Sequence, residues 1–190
     1  MNRLIIENSG ATGTLVVAKD GVIMLDQYFR GAAELAVCVE AVTESAGKPD
    51  EIIVGIGPGS YTGLRVAVAT VLGMKLALGC RAFGCPSVLG YPGLNYVVIG
   101  DARRGTLFLA DIRNGVMSDL PRLIPREEVL QQVGKIDTQQ LFVTSRIAEL
   151  SEAEVLIPEA RWLVHRESSY TESIEPIYLK EPHITKPMDR

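Results

Sequence analysis

The alternation of apolar and polar positions in the first half of the chain predicts three strands, a helix, a fourth strand and a second helix. Short apolar runs rich in β-branched residues indicate the strands, and Asp20-Gly21 favours a tight hairpin turn between the second and third. Apolar residues at spacings of three and four, each series followed by a glycine, indicate the helices. The predicted strands are 3–7, 13–18, 22–29 and 51–57, and the helices are 32–46 and 63–78.

The second half repeats this order with shorter elements. Its predicted elements are strands at 96–101 and 106–112, a weaker strand within 115–123, a helix at 126–133 and a strand at 141–144. Two βββαβα lobes facing each other across a cleft are the plan of the actin-like (ribonuclease-H-like) and sugar-kinase-like ATPases. The sequence therefore predicts an α/β fold with a first lobe at 1–93 and a reduced second lobe at 94–190.

Composition and charge narrow the class of function. The 190 residues are 47% hydrophobic and 22% charged, as in globular proteins, and the net charge of -4 is unsuited to binding nucleic acid alone. Residues 64–78 are interrupted by two cations and are short for a bilayer, and no secretory leader is visible, so a cytoplasmic location without membrane contact is expected. The three cysteines form no CxxC pair and are interpreted as small core residues.

The segment IIVGIGPGSYTGLRVAVAT carries the densest signal in the chain. It predicts a strand, a turn with little side-chain bulk and a helix N-terminus, where Ser60 or Thr62 could cap the helix. Such a turn can hold an anion or a partner's carboxylate or carbonyl, or it can serve only as a tight connection. The Walker, dinucleotide and hydrolase-nucleophile patterns all fail here; Leu64, for example, stands where a Walker loop has lysine. The loop residues of interest are Gly57, Pro58, Gly59, Ser60, Thr62, Gly63 and Arg65.

This loop resembles the G-P-G-S-[FY]-T-G-L-R signature of the TsaB (YeaZ-type) family. The segments LIIENSGATGTLVVAKDG, LRVAVATVLGMKLALG, GDARRGTLFLADI and EPIYLKEP are also similar to that family. The resemblance implies a non-catalytic subunit that supports a catalytic paralogue of TsaD type in threonylcarbamoyl transfer to N6 of an adenosine in the tRNA anticodon loop. It further implies a small ATPase subunit of TsaE type, tRNA held only through the complex, and no cofactor bound tightly by this chain. ATP or ADP could be trapped at the heterodimer interface.

Two departures from the family pattern affect what the resemblance implies. Glu7-Asn8-Ser9 stands where the family has Asp-Thr-Ser, and the longer acidic side chain argues against productive nucleotide chemistry in this subunit. Gly31-Ala32-Ala33-Glu34 replaces the His-Ser-Glu pattern that enters the first helix.

The second helix supplies an independent argument for a partner. Its polar residues between 64 and 78 are Arg65, Thr70 and Lys75, which point in different directions, so this helix must be covered nearly all round. A loop of the same chain could supply the outer cover; the resemblance instead implies pairing through the two helices, as a homodimer or a heterodimer. Candidate residues for packing against a partner, or against the core, are Val37, Cys38, Ala41, Leu64, Val68, Val71, Leu72 and Lys75.

The remaining polar groups give weaker predictions. Asp101 and Arg103 could contact the partner or a phosphate, or Asp101 could simply accept backbone N–H groups within a turn. His165 and His183 are far apart in sequence with no carboxylate arranged around them, so neither a metal site nor a catalytic residue is predicted. Three alternatives remain: a small active ATPase or kinase, a self-associating module without a tRNA role, and a metallopeptidase, which the unpaired histidines disfavour.

Overall fold

The computed structural model describes residues 1–136 and 140–179, and the first half of the chain forms a mixed five-stranded sheet with two helices. Its elements are β1 (Asn2–Glu7), β2 (Gly13–Lys19), β3 (Val22–Phe29), α1 (Gly31–Ala46), β4 (Glu51–Gly55), α2 (Tyr61–Leu78) and β5 (Arg81–Cys85). The order across the sheet is β3-β2-β1-β4-β5, with β2 antiparallel and β4 parallel to the central β1. The predicted βββαβα order is confirmed, and β5 is an addition to it.

Local chemistry explains these elements. Asp20 and Gly21 adopt φ angles of 51° and 82°, the left-handed conformation that a tight hairpin between right-twisted strands requires. Helix α2 begins two residues before the predicted start because Ser60 caps it, its Oγ accepting from the N–H of Gly63 at 3.2 Å. The pattern does not indicate β5, whose Ala82, Gly84 and Cys85 lack the branched and aromatic character of typical strands.

The second half forms a six-stranded sheet. Its elements are β6 (Tyr96–Asp101), β7 (Thr106–Arg113), β8 (Val116–Met117), β9 (Arg122–Pro125), α3 (Val129–Val133), β10 (Leu141–Val143), β11 (Glu154–Val155) and α4 (Ala160–Leu163). The strand order is β11-β10-β6-β7-β8, and β9 also pairs with β7. The single third strand predicted within 115–123 is therefore wrong, because residues 118–121 leave the sheet and the chain pairs with β7 twice.

One core joins the two sheets. Helix α4 packs against β1 and β2, and the backbone N–H of Ala160 donates to Oγ1 of Thr14 at 2.7 Å. One hydrophobic cluster contains Ala160 and Leu163 of α4, Ile5 and Val16 from the first sheet, and Val98 and Phe142 from the second. The two lobes are thus held together by buried apolar surface.

The chain returns to the first lobe after Tyr170. We call residues 171–179 the C-terminal segment. Within it, Thr171 forms an isolated β-bridge with Gly84, and the N–H of Ile177 donates to the carbonyl oxygen of Ile56 at 2.7 Å. Ile174 and Ile177 pack against the core beneath α1 and α2. The predicted division at residue 93 leaves out this return, because its pairing is non-local. Lys180 of the PIYLK stretch lies outside the described residues.

A buried arginine ties α4 to the crossover between the sheets. Arg166 is 6% exposed, and its Nη2 donates to the carbonyl oxygen of Gly93 at 2.7 Å. Longer bonds of 3.4 Å reach the carbonyl oxygens of Leu89 and Tyr91. A buried cation is tolerated when it donates hydrogen bonds to buried carbonyl groups. Those carbonyl groups are shielded from water and would otherwise lack a hydrogen-bond donor.

We expect Arg166→Met to lower the free energy of unfolding by about 2 kcal/mol, because it leaves those carbonyl groups without a charged donor. Urea denaturation would measure the change. Arg122→Met, at an exposed position of β9, is the matched control and should stay within about 0.5 kcal/mol of wild type. Equal stability of the two variants would contradict the role assigned to Arg166.

Candidate functional site

The GPGSYTG loop packs its backbone directly on the residues that follow β1. The N–H of Ser60 donates to the carbonyl oxygen of Ser9 at 2.8 Å, and Nδ2 of Asn8 donates to the carbonyl oxygen of Gly63 at 2.9 Å. A Cβ at Gly59 would lie 2.4 Å from the Ser9 carbonyl oxygen, and one at Gly63 would lie 2.0 Å from that of Asn8. Only glycine allows this approach, so the two glycines fix the start of α2 against β1.

The chain itself uses much of the loop's hydrogen-bonding capacity. The N–H of Gly57 donates to Oγ of Ser87 at 2.8 Å, and the N–H of Gly63 is capped by Ser60. Since the N–H of Ser60 is also bonded, three of the loop's donors point at protein acceptors. This arrangement favours the tight-connection interpretation of the loop. Pro58 lies within it, and Thr62 is exposed on the first turn of α2.

Glu7 lies inside the protein rather than at an open cleft. Its side chain is 1% exposed, and Oε1 accepts the N–H of Ser9 at 2.7 Å. Burial raises the pKa of the Glu7 carboxyl above its ordinary value, against the opposing effect of hydrogen bonds from Ser9 and Ser87. A Cβ at Gly55 would lie 1.7 Å from Oε2, so the backbone of β4 closes over the carboxyl group. This geometry presents no carboxylate to a nucleotide or metal ion.

Helix α2 has a buried apolar stripe on one side and an exposed stripe, apolar except for one arginine, on the opposite side. Leu64, Ala67, Val71 and Met74 are its buried residues and face the sheet. The opposite stripe is exposed and recurs at spacings of four, four, three and four; we call it the outer stripe, and it consists of Tyr61, Arg65, Ala69, Leu72 and Leu76. Among the described residues, α2 is also the one helix with the length and apolar composition of a membrane span, a test that core helices pass too. Because of the outer stripe, α2 carries apolar residues on its exposed side as well as on its buried side.

Two of the candidate residues pack against the core, which was one of the two predicted alternatives, and not at a partner surface. Leu64 and Val71 are 1% and 0% exposed and lie within the first lobe. Val68 is half-buried, whereas Leu72 and Lys75 are exposed.

On α1 the predicted residues lie nearer the surface. Val37 is 65% exposed and Ala41 is exposed. Cys38 is half-buried, and burial raises the pKa of its thiol. We call the exposed residues Val37 and Ala41 of α1, taken together with the outer stripe of the adjacent helix α2, the helical face.

Sequence reasoning missed three residues on or beside this face. Leu76 is the most exposed large apolar residue of α2, at 85%, and the spacing from Leu72 could have identified it. Tyr61 extends the same spacing at the other end of the helix. Tyr178 reaches the helix from the C-terminal segment, and no local pattern signals that contact.

Asp101 shapes the turn between β6 and β7. Its Oδ1 accepts the N–H of Arg103 at 2.9 Å, while Arg103 and Arg104 adopt φ angles of 63° and 55°. Asp101 therefore has the turn-stabilising role that was one of its two predicted interpretations. Within residues 1–136 and 140–179, no three His, Cys, Asp or Glu side chains come together as metal ligands. His183 lies outside those residues.

The burial of Glu7 predicts a pH-dependent stability. A carboxyl whose pKa is raised on folding stabilises the protein below the unfolded pKa, near 4.5, and this contribution is lost as the pH rises through the folded pKa. We expect Glu7→Gln to gain stability over wild type as the pH rises from the unfolded pKa to the folded pKa, by about 1.4 kcal/mol for each unit of pKa elevation. Urea denaturation across this range tests it, with exposed Glu40→Gln as the control. A Gln variant with an unchanged pH profile would contradict the assignment.

Two glycines of α2 predict opposite effects of one substitution. At Gly73 nothing lies within 4 Å of an added Cβ, so Gly73→Ala should raise the free energy of unfolding by about 1 kcal/mol through helix propensity. Gly63→Ala should lower it, because its Cβ would strike the backbone of Asn8. Thermal unfolding of the two variants measures the difference, and shifts of the same sign would be inconsistent with this geometry.

Part of the chain is similar in sequence to known proteins. The protein-family model described as TsaD, tRNA N6-adenosine threonylcarbamoyltransferase, matches residues 32–118. An uncharacterised protein of Mycobacterium leprae (strain TN) is 38% identical over 87 residues, which is 44% of this chain and 22% of that protein. The chain therefore spans less than a quarter of the length of the curated relative it matches.

Two solved structures from Pseudomonas aeruginosa resemble the chain over most of its length. One is YeaZ, with a TM-score of 0.70 and 20% identity, covering 94% of this chain and 99% of YeaZ. The other is an uncharacterised protein with similarity to peptidase YEAZ, with a TM-score of 0.71, 19% identity and the same coverage. The predicted two-lobed α/β fold is confirmed, and the chain shares that fold with YeaZ of Pseudomonas aeruginosa.

Proposed function

We propose that this chain is a non-catalytic scaffold subunit that binds a catalytic paralogue of TsaD type through its helical face. In this scheme the pair transfers a threonylcarbamoyl group to N6 of an adenosine in tRNA. The observation that carries the proposal is the exposed apolar face of α1 and α2. Val37, Leu72 and Leu76 are 65%, 43% and 85% exposed there.

The helical face has the character of an interface. The apolar side chains of Leu76 and Val37 are exposed to water. Covering them would stabilise a complex by about 25 cal/mol per Å² of apolar area removed from water. Scattered apolar residues are normal on a surface, but here Tyr61, Ala69, Leu72 and Leu76 follow one stripe of α2. The adjacent helix α1 adds the exposed Val37 and Ala41. A helical stripe of this kind suits a partner that presents its own apolar helix.

Small residues would let a partner helix approach α2 closely. Ala69 and Gly73 are exposed beside Leu72 and Leu76, and the space above Gly73 is open. Among the described residues, no neighbouring atom would clash with a side chain at position 73, so packing within this chain does not require glycine there. Packing against another helix gives such a residue a role.

The comparisons support the tRNA role at the level of family and fold. The TsaD-type match covers α1 and α2, the two helices of the proposed interface. The fold shared with YeaZ is consistent with the resemblance carried by the GPGSYTGLR loop. By the same resemblance, we place the complex in the cytoplasm with a small ATPase subunit of TsaE type, with ATP or ADP bound between subunits and tRNA held by the assembly.

Burial of Glu7 supports placing the chemistry on the partner. Glu7, the acidic residue at the end of β1, is enclosed by the backbone of β4 and by Ser87, so it offers no carboxylate to a metal–nucleotide complex. A small ATPase or kinase of the same fold would instead hydrolyse ATP when isolated. A self-associating module would form a homodimer indifferent to the paralogue.

The proposal predicts a heterodimer that depends on the outer stripe. Size exclusion with light scattering, applied to this chain alone and mixed with the TsaD-type protein of the same cell, should show a new heterodimer peak. Leu76→Arg should weaken its formation by about tenfold or more, because the charge would be buried at the interface. Leu76 is 85% exposed, so the isolated variant should stay folded.

The matched control is Leu120→Arg, at a leucine that is 74% exposed in the second lobe. It should bind the paralogue as wild type does. A homodimer that ignores the paralogue, or a heterodimer equally tolerant of both substitutions, would refute the scaffold role. ATP turnover by the isolated chain would favour the enzyme alternative.

A further inference from the structure

The outer stripe ends in a compact cluster formed with the C-terminal segment. The guanidinium carbon of Arg65 lies 3.9 Å from the centre of the Tyr61 ring, and its Nε donates to the hydroxyl of Tyr178 at 3.2 Å. The two tyrosine rings are 5.3 Å apart. A residue more than a hundred positions away in sequence thus meets the first turn of α2.

The cluster is ordered by these contacts but remains accessible. Tyr61 and Tyr178 are 38% and 40% exposed, and Arg65 is exposed as well. Stacking on one ring and bonding to the other restrict the guanidinium, so less rotamer entropy remains to be lost when it binds. Among the described residues, the bond to Tyr178 is the hydrogen bond that Arg65 makes, which leaves both terminal Nη groups for an external acceptor.

Charge along α2 points to the chemistry of that acceptor. Arg65 and Lys75 are the charged residues of α2, and both are positive. A planar guanidinium with two free Nη groups matches a carboxylate in a bidentate geometry. Tyrosine and arginine are also the residue types most enriched among those that dominate binding energy at protein interfaces.

We propose that Tyr61, Arg65 and Tyr178 form the polar end of the helical face and bind an Asp or Glu side chain of the protein that covers the outer stripe. The inference rests on the proposed function, and its occupant is the TsaD-type paralogue. It assigns the C-terminal segment a part in partner recognition. Arg65 is then a specificity-determining residue, because a partner without a carboxylate at this point leaves the guanidinium unmatched.

Affinity and its salt dependence test the proposal together. Arg65→Gln should weaken binding of the TsaD-type protein about tenfold and flatten the dependence of Kd on salt concentration, since one charge pair is removed. Tyr178→Phe keeps the ring and loses only the bond to Nε, so about a threefold loss is expected. Arg122→Gln removes the same charge from β9 in the second lobe and should leave both the affinity and its salt dependence unchanged.

Circular dichroism melting of the isolated variants separates recognition from folding. The proposal would be overturned if Arg65→Gln bound the paralogue with unchanged affinity while Arg65→Gln and Tyr178→Phe both unfolded at a lower temperature. In that case the cluster would only stabilise the fold of this chain. An effect confined to a homodimer of this chain would also overturn the proposal. If Leu76→Arg blocks binding while Arg65→Gln binds as wild type, the scaffold role stands and this inference alone fails. If Leu76→Arg binds normally, the scaffold role itself fails.

Discussion

The close contact between the GPGSYTG backbone and the residues after β1 is the constraint on which the rest of the first lobe depends. The bond from the N–H of Ser60 to the Ser9 carbonyl oxygen sets where α2 starts, and the missing side chain at Gly63 sets how near it lies to Asn8. Once the first turn is fixed, the helical repeat decides which side of α2 faces the sheet. The exposed side follows from the same constraint.

That constraint makes one motif serve both the core and the surface. Leu64, directly after Gly63, is buried against the sheet, while Arg65 is on the outer stripe. A sequence signature that spans both sides of a helix start thereby fixes the core packing and the position of the outer stripe together. The small residues of the loop orient the helix that carries the outer stripe, without being part of that stripe.

Prediction from sequence succeeded where the signal is local and failed where it is not. The Asp20-Gly21 hairpin, both long helices and β4 follow from short-range periodicity and turn chemistry. The small residues of β5 and the return of the C-terminal segment depend on pairing between distant positions. An apolar repeat also does not show which stripe is buried, so the sequence alone does not separate Leu64 and Val71 from Leu72. The side of a helix is decided by the sheet it meets, which the repeat does not encode.

Binding of the proposed partner to the helical face would raise the stability of the chain. Gly73 lowers the helix propensity of α2 by about 1 kcal/mol relative to alanine, and Leu76 is left in water. Within the described residues, neither feature is offset by a contact of this chain. A partner that covers the outer stripe would bury Leu76, pack over Gly73 and engage the Arg65 cluster in one event. Since such a partner binds the folded chain and not the unfolded one, its concentration would raise the free energy of unfolding by mass action. A surface that weakens the isolated chain is therefore the surface through which a complex would stabilise it.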